Sequence, residues 1–157
     1  MKNRTVDFLG IPLSKLTMDQ TVNYIDDKIS KNKLLHHCVI NAGKVVLMKN
    51  SKKLYNDVVS SDLINPDGIA IVYAAKFLGL KIKERVTGID LMYNLLKLSE
   101  KKGYGCYFLG AKDIVLEKMI KNFKEEFPDL IISGYNNGYF NKKSYSNISK
   151  KIIKTNA

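Results

Sequence analysis

Segments without charges alternate with segments of helical period along this chain, and that alternation limits its fold more than any other feature. Residues 34–40 contain no Asp, Glu, Lys or Arg, and neither do residues 104–109. Uncharged strands of this kind are typical of parallel sheets that are covered on both faces. Leu116, Ile120 and Phe123 then recur at helical spacing, which predicts a helix over residues 113–126. The alternation predicts an α/β fold, with a mostly parallel sheet and helices on both faces.

Turn and cap signals mark the first elements of the chain. Gly10 predicts a short N-terminal hairpin within residues 6–13. Thr17 and Gln20 form a capping-box pattern, which predicts a helix over residues 18–31.

Ligand sites in Rossmann-like folds form at the carboxyl ends of the strands, where the strand-to-helix loops meet. Four loops of the predicted fold lie at such ends, and they contain Asn41, residues 65–68, Gly110-Ala111 and residues 134–138. The topology therefore predicts a site before any chemistry is considered.

The size and composition are those of one globular domain spanning residues 1–157, with 45% hydrophobic and 26% charged residues. The apolar runs are too short to predict a membrane span. Cys38 and Cys106 are isolated thiols, which predicts neither a disulfide framework nor a cysteine metal site. His36 and His37 are neighbours in a predicted strand, so they face opposite sides and do not form a two-histidine site.

The net charge of +11 favours anionic partners such as phosphates, diphosphates or an acidic membrane face. Only two of the 26 basic residues are arginines, and the lysines are scattered over the chain as solvated faces. Because neither clustered arginines nor an aromatic-basic motif occurs, a nucleic-acid binder is disfavoured. Arg85 is one of the two arginines. It is either a surface ion-pair partner of Glu84 or a distant acid, or a bidentate clamp on a phosphate.

Asp67 follows Pro66 and precedes residues 69–78, an apolar segment whose only charge is Lys76. That segment predicts a helix that is buried nearly all round. Asp67 is predicted either as the N-cap of this helix or as a carboxylate general base at the mouth of a site.

Three further polar features have ordinary structural interpretations beside functional ones. Asp90 follows Thr87 at capping-box spacing and is interpreted as a capping acid rather than a catalytic one. Asn41 is either a turn residue or a ligand contact. Gly110-Ala111 lacks the full glycine-rich dinucleotide fingerprint. The chain has no Asp-x-Asp pair, so a bound diphosphate would be neutralised by arginine, lysine and helix N-termini instead of a metal ion.

The order and spacing of five motifs resemble the WecG/TagA/CpsF glycosyltransferases, glycosyltransferase family 26. The motifs are Asn41-Ala42, Asn65-Pro66-Asp67-Gly68-Ile69, Glu84-Arg85-Val86-Thr87-Gly88-Ile89-Asp90-Leu91-Met92, Phe108-Leu109-Gly110-Ala111 and Gly138-Tyr139-Phe140. The resemblance implies an inverting, metal-independent transfer without a cofactor. The sugar, of the N-acetylmannosamine type, would pass from a UDP-sugar to a polyprenyl-diphosphate-linked acceptor in teichoic acid or surface polysaccharide synthesis.

The resemblance also implies roles for individual residues. Asp67 matches the general base and Arg85 the arginine of the active-site pocket. The residues implied in substrate binding are Asn41, Gly68, Gly110, Ala111 and Tyr139. The implied location is the cytoplasmic face of the cell membrane, with peripheral membrane contact and a possible homo-oligomer.

Two departures from the family pattern qualify these expectations. Val39 stands where many members carry a threonine. The chain also stops before a further strand and a Gly-x-Pro-x-Gln-Glu-like segment, so it is expected to lack the C-terminal part of the fold. We therefore expect weak or absent transferase activity and an exposed sheet edge. The alternative function is a non-catalytic nucleotide-sugar binding module.

Overall fold

The structure is a computed structural model that describes residues 4–155 and residue 157. The chain divides into two compact units, the first ending at Met92 and the second beginning at Tyr93. Each unit is described separately below. Whether the whole chain acts as one domain stays a prediction.

An antiparallel hairpin opens the first unit. Strand β1 (Thr5–Phe8) pairs with β2 (Ile11–Ser14). The turn residues Leu9 and Gly10 have positive φ values of 54° and 80°, as a two-residue hairpin turn requires. Tyr55 donates a 2.9 Å hydrogen bond to the carbonyl oxygen of Gly10 and so holds the turn. The predicted hairpin is confirmed.

The two parallel strands of the first unit are β3 (His37–Ile40) and β4 (Leu63–Pro66). Strand β2 lies alongside β4. The sequence pattern predicts a brief strand over residues 62–64 that ends before Pro66, whereas Pro66 is the last strand residue and pairs with Ile40. Proline is tolerated at this position because a strand end does not need its missing N–H. Asp67 continues the ladder by donating a 2.9 Å hydrogen bond to the Ile40 carbonyl.

Five helices begin in the first unit: α1 (Met18–Ser30), α2 (Ala42–Asn50), α3 (Lys52–Val59), α4 (Ile69–Phe77) and α5 (Gly88–Lys102). Helix α5 runs across the division into the second unit. The predicted capping box of α1 is present, with Thr17 and Gln20 each bonded to the other's backbone N–H. The core is made of apolar side chains from both strand pairs and from α2, α3 and α4, and it includes Leu13, Ile40, Met48, Val58, Ile64, Val72 and Ala75.

Helix α4 differs from its prediction as a helix that is buried nearly all round. Ile71, Val72 and Ala75 are buried, but Ile69, Tyr73 and Phe77 are exposed. The exposed residues are four positions apart and form one stripe. Apolar composition allows every face of a helix to be buried, but neighbouring elements within this unit cover only one face.

The second unit pairs β5 (Cys106–Leu109) with β6 (Ile132–Asn136) in parallel. Helix α6 (Asp113–Glu126) lies between them in the chain, and α7 (Tyr145–Lys154) follows β6 after a 3-10 turn. The unit's buried side chains come mainly from α6 and the segment after it, and they are Leu116, Ile120, Phe123, Phe127, Leu130 and Ile148. The predicted α/β class, with parallel strand pairing and an N-terminal hairpin, is confirmed. None of the helices in the described part of the chain is long and apolar enough to cross a membrane.

Candidate active site

Asn41 lies at the carboxyl end of β3 and is the N-cap of α2. Its side-chain oxygen accepts a 2.9 Å hydrogen bond from the Lys44 backbone N–H. The interpretation of Asn41 as a residue with a structural role is therefore correct in part, because its side-chain oxygen caps α2. The amide NH2 group has no hydrogen-bond partner among the described residues, and the side chain is exposed. Asn41 can still donate to a ligand.

Asp67 lies at the carboxyl end of the neighbouring strand, but it is not the N-cap of α4. The N-cap is Gly68, and no side chain caps this helix. The prediction of Asp67 as a cap is wrong, because its backbone N–H continues the strand ladder to Ile40 and places it one residue too early. Its carboxylate is half-buried and has no hydrogen-bond or ion-pair partner in the described part of the chain. The carboxylate is thus available for a proton or a ligand.

Gly68 lets the two strand-end loops approach each other closely. A Cβ atom built on Gly68 would lie 3.3 Å from the Asn41 Cβ and 3.5 Å from its Cα. A Cβ at this position would require the Asn41 loop to shift by a few tenths of an ångström. Asn41, Asp67 and Gly68 are therefore brought together, as the parallel topology predicts.

Arg85 belongs to a loop that is fixed on both sides. Val86 is fully buried and donates a 2.9 Å hydrogen bond to the Pro66 carbonyl, next to Asp67. The Glu84 carboxylate accepts a hydrogen bond from the Met18 backbone N–H at the start of α1. Glu84 is therefore engaged elsewhere and is not the partner of Arg85. The Arg85 guanidinium is exposed and has no hydrogen-bond or ion-pair partner among residues 4–155 and 157.

Thr87 and Asp90 show the capping pattern that the sequence predicts for the start of α5. The Asp90 backbone N–H donates a 3.0 Å hydrogen bond to Thr87 Oγ1. The Thr87 hydroxyl in turn donates to the Asp90 carboxylate. The predicted capping contact of Asp90 is confirmed, although its carboxylate binds the Thr87 hydroxyl and not the Thr87 backbone N–H. That Asp90 has no catalytic role stays a prediction.

A buried polar chain that sequence reasoning missed supports β4 immediately before Asp67. Asn65 is completely buried, and its Oδ1 lies 3.0 Å from His37 Nε2. Its Nδ2 donates a 3.3 Å hydrogen bond to Thr21 Oγ1, which is also buried. Because the Asn65 amide donates to Thr21, its oxygen accepts the Nε2–H of neutral His37. Burial is the main cause that lowers the pKa of His37 below its usual 6.5. An Asn within an apolar strand was the available sequence signal.

Gly110 and Ala111 form the strand-end loop of β5 in the second unit. Both have positive φ, 151° for Gly110 and 57° for Ala111. Gly138 donates a 2.9 Å backbone hydrogen bond to the Ala111 carbonyl, and a Cβ built on Gly138 would lie 3.0 Å from the Gly110 Cα. These glycines bring the loops after β5 and β6 into contact.

Tyr139 follows these glycines with its side chain 74% exposed. Its backbone N–H donates to Asn137 Oδ1 at 3.1 Å. The Asn137 amide in turn donates to both carboxylate oxygens of Asp113, at 2.9 and 3.1 Å. The loop that carries Tyr139 is therefore tied to the first turn of α6, and the phenol ring faces solvent.

The sequence-predicted site residues thus form two sets, one in each unit. Asn41, Asp67, Gly68 and Arg85 lie on neighbouring loops of the first unit. Gly110, Ala111 and Tyr139 lie on neighbouring loops of the second. Within the described residues, no group of three or more His, Cys, Asp or Glu side chains is placed to hold a metal ion.

The first unit is thus an α/β unit in which an acid at the end of a parallel strand and an arginine on a neighbouring loop have no side-chain partner among the described residues. The sequence model of the Glycosyl transferase WecG/TagA/CpsF family matches residues 6–157. The chain belongs to this family of glycosyltransferases.

Curated relatives carry the name N-acetylglucosaminyldiphosphoundecaprenol N-acetyl-beta-D-mannosaminyltransferase. The protein of Bacillus spizizenii is 36% identical over 99 residues, which is 62% of this chain and 38% of the relative. That of Bacillus subtilis is 31% identical over 65% of this chain and 40% of the relative. That of Staphylococcus aureus is 24% identical over 85% and 53%. The chain spans about half the length of these relatives or less.

Proposed function

We propose that this chain carries catalytic elements of a transferase that moves N-acetylmannosamine from a UDP-sugar to a polyprenyl-diphosphate-linked N-acetylglucosamine. The names of the curated relatives support the sugar and the lipid-linked acceptor. The observation that carries the chemical proposal is the half-buried carboxylate of Asp67, which does not cap α4 and has no ion-pair partner among the residues that the structure describes.

In the proposed reaction Asp67 is the general base. Its carboxylate takes the proton of the acceptor hydroxyl while that oxygen attacks the anomeric carbon of the donor. The bond between the anomeric carbon and the UDP oxygen breaks, and its electron pair leaves with UDP. A single displacement of this kind inverts the anomeric centre.

Arg85 is the proposed cation for the leaving diphosphate. A guanidinium binds phosphate oxygens through two parallel hydrogen bonds, and the Arg85 guanidinium has no other partner in the described chain. The loop around it is fixed by Val86 and Glu84, so little ordering is required when the ligand binds. Because Arg85 and uncapped helix N-termini supply the positive charge, the proposal requires no metal ion.

We further propose peripheral contact with the cytoplasmic face of the cell membrane. The acceptor in the relatives' names is an undecaprenol derivative, which is a membrane lipid. The net charge of +11 favours a surface of anionic lipids. Self-association remains an expectation from the sequence.

The test is transfer of radiolabelled N-acetylmannosamine from its UDP derivative to a lipid-diphosphate N-acetylglucosamine acceptor, with and without EDTA. We expect Asp67→Asn to lower kcat/KM by about 100- to 10,000-fold, because only a general base is lost. The matched control is Asp57→Asn, which removes an exposed acid that pairs with Lys53. Normal transfer by Asp67→Asn would refute the base assignment.

Calorimetric titration with UDP separates the enzyme from the non-catalytic alternative. Binding of UDP without any transfer by the unmodified chain would favour the binding module. Arg85→Gln is expected to weaken UDP binding by about tenfold or more, since a hydrogen bond to a charged group is lost. Unchanged UDP affinity in Arg85→Gln would contradict the role of the arginine.

A further inference from the structure

The second unit contains a basic cavity of about 690 Å³ to which no role is assigned above, although Tyr139, a residue implied in substrate binding, lines it. Three lysines of α7 line it: Lys150, Lys151 and Lys154. The first and the last of these lysines are four residues apart, which is about one turn of the helix. None of the three has an ion-pair partner in the described residues. The volume is within the range of about 300–1,000 Å³ that is usual for small-molecule sites.

The remaining polar wall of the cavity is made of uncharged groups. Asn136, Asn141, Ser144 and Asn147 line it, and no acidic side chain does. Asn137 also lines the cavity. Its amide donates two hydrogen bonds to the Asp113 carboxylate, and the Asn136 amide donates one to the Asn137 carbonyl, so both amides are already engaged. The lining still combines three positive charges with the amide groups of Asn141 and Asn147, a composition that favours phosphate groups.

A narrower apolar groove of about 300 Å³ adjoins this cavity. Phe140 and Ile148 line both. The groove is otherwise formed by Leu109, Tyr145, Ser149 and Ile152, so it has no charged residue. The Phe140 and Tyr145 rings pack edge to face at 5.5 Å and stiffen the boundary between the two spaces.

We propose that the α7 cavity binds the diphosphate of a prenyl-diphosphate lipid, with the first isoprene units of that lipid in the adjoining groove. This inference rests on the proposed function, because the lipid class is taken from the acceptor in the relatives' names. The pairing of a cationic cavity with an uncharged groove fits an amphiphile of that kind. A free nucleotide or inorganic diphosphate would use the lysines but would leave the groove empty.

The test uses the 157-residue chain and measures binding of farnesyl diphosphate, below its aggregation concentration, by calorimetry at low salt. The double variant Lys150→Gln/Lys154→Gln is expected to weaken binding by about tenfold, as two charge-assisted contacts at a solvated site are lost. The control is Lys118→Gln/Lys124→Gln on α6, which removes the same charge from exposed positions of the same unit. An equal loss in the control would mean unspecific attraction and would overturn the proposal, as would undetectable binding by the unmodified chain.

A second pair of variants tests the lipid part. Ile152 lines the groove, whereas the adjacent Ile153 is 79% exposed and does not line it. Ile152→Ser is expected to weaken binding of farnesyl diphosphate but not of inorganic diphosphate, and Ile153→Ser to change neither. If inorganic diphosphate or UDP competes as strongly as farnesyl diphosphate and Ile152→Ser has no effect, the cavity takes a free diphosphate and the lipid assignment is wrong. Such a result would leave the roles of Asp67 and Arg85 standing, because these are measured by UDP binding and transfer.

Discussion

Replacement of Asn65 by leucine tests whether the buried polar chain holds β4 and the loop that carries Asp67. Leucine has the branching and the number of side-chain heavy atoms of asparagine but cannot hydrogen bond, so the change removes the polar contacts and adds some volume. It removes the 3.0 Å contact with His37 and the 3.3 Å hydrogen bond with Thr21. The side chains of Asn65 and Thr21 are both 0% exposed, so water cannot replace the lost partner of Thr21.

The expected magnitude follows from these two contacts. A buried polar group left without a partner costs about 1–3 kcal/mol. Thr21 is fully buried, so its hydroxyl bears the full cost of the lost partner. His37 is only half-buried, and hydrogen bonds to water offset part of the cost of losing Asn65. The leucine also gains apolar burial. We therefore expect Asn65→Leu to lower the free energy of unfolding by about 2–4 kcal/mol.

The assay is urea unfolding followed by circular dichroism at 222 nm, with the m-value checked for constancy. Thr21→Val breaks one of the contacts and should cost about 1–2 kcal/mol. The double variant Asn65→Leu/Thr21→Val no longer contains the Thr21 hydroxyl that Asn65→Leu leaves without a partner. Its loss of unfolding free energy should therefore be smaller than the sum of the two single losses by at least about 0.5 kcal/mol. Asn56→Leu, at an exposed position on α3, is the control. The reasoning is refuted if Asn65→Leu costs no more than this control, or if the two losses simply add.

Two further predictions concern the same unit. Because burial lowers the pKa of His37, the unfolded state binds more protons, and stability should fall as pH drops below about 6.5, with a slope of at most about 1.36 kcal/mol per pH unit. The measurement is the urea midpoint at pH 7.5 and at pH 5.5. His37→Gln should remove the pH dependence, while His36→Gln at the exposed neighbour should keep it. A dependence that survives in His37→Gln would contradict its assignment to His37. Glu84→Ala should lower stability by about 0.5–2 kcal/mol, as when a helix cap is lost, and weaken UDP binding through the Arg85 loop. Glu84→Gln keeps an acceptor oxygen and should bind UDP normally; equal UDP affinity in Glu84→Ala would show that the contact does not position Arg85.

Features set by neighbouring residues were predictable from the sequence. Helix α6 (Asp113–Glu126) has the predicted bounds, and the Thr17 capping box forms as the spacing indicates. The placement of Asn41 at the end of β3 also follows from the local pattern. Each of these features depends on hydrogen bonds or apolar spacing within one turn or one strand.

Features that depend on distant partners were not predictable. The sequence neighbours of Asp67 fit a helix cap as well as a general base, and the cap is excluded only by a distant contact, the bond of its backbone N–H to Ile40 across the strand pair. The bond from the Met18 N–H to Glu84 joins residues 66 positions apart. The exposed stripe of α4 likewise depends on which elements cover the helix, and this cannot be predicted from the composition of α4.

The distribution of satisfied polar groups around Asp67 is itself an argument about function. Thr87 and Asp90 cap α5, Glu84 binds the start of α1, and Asn65 bonds both His37 and Thr21. A side chain that serves the fold in this region therefore has an identifiable partner. Asp67 and Arg85 lie among these residues without one in the described chain. Because Asp67 is half-buried and Arg85 is exposed, water can hydrate both groups, and both stay accessible to a ligand, as the proposed reaction requires.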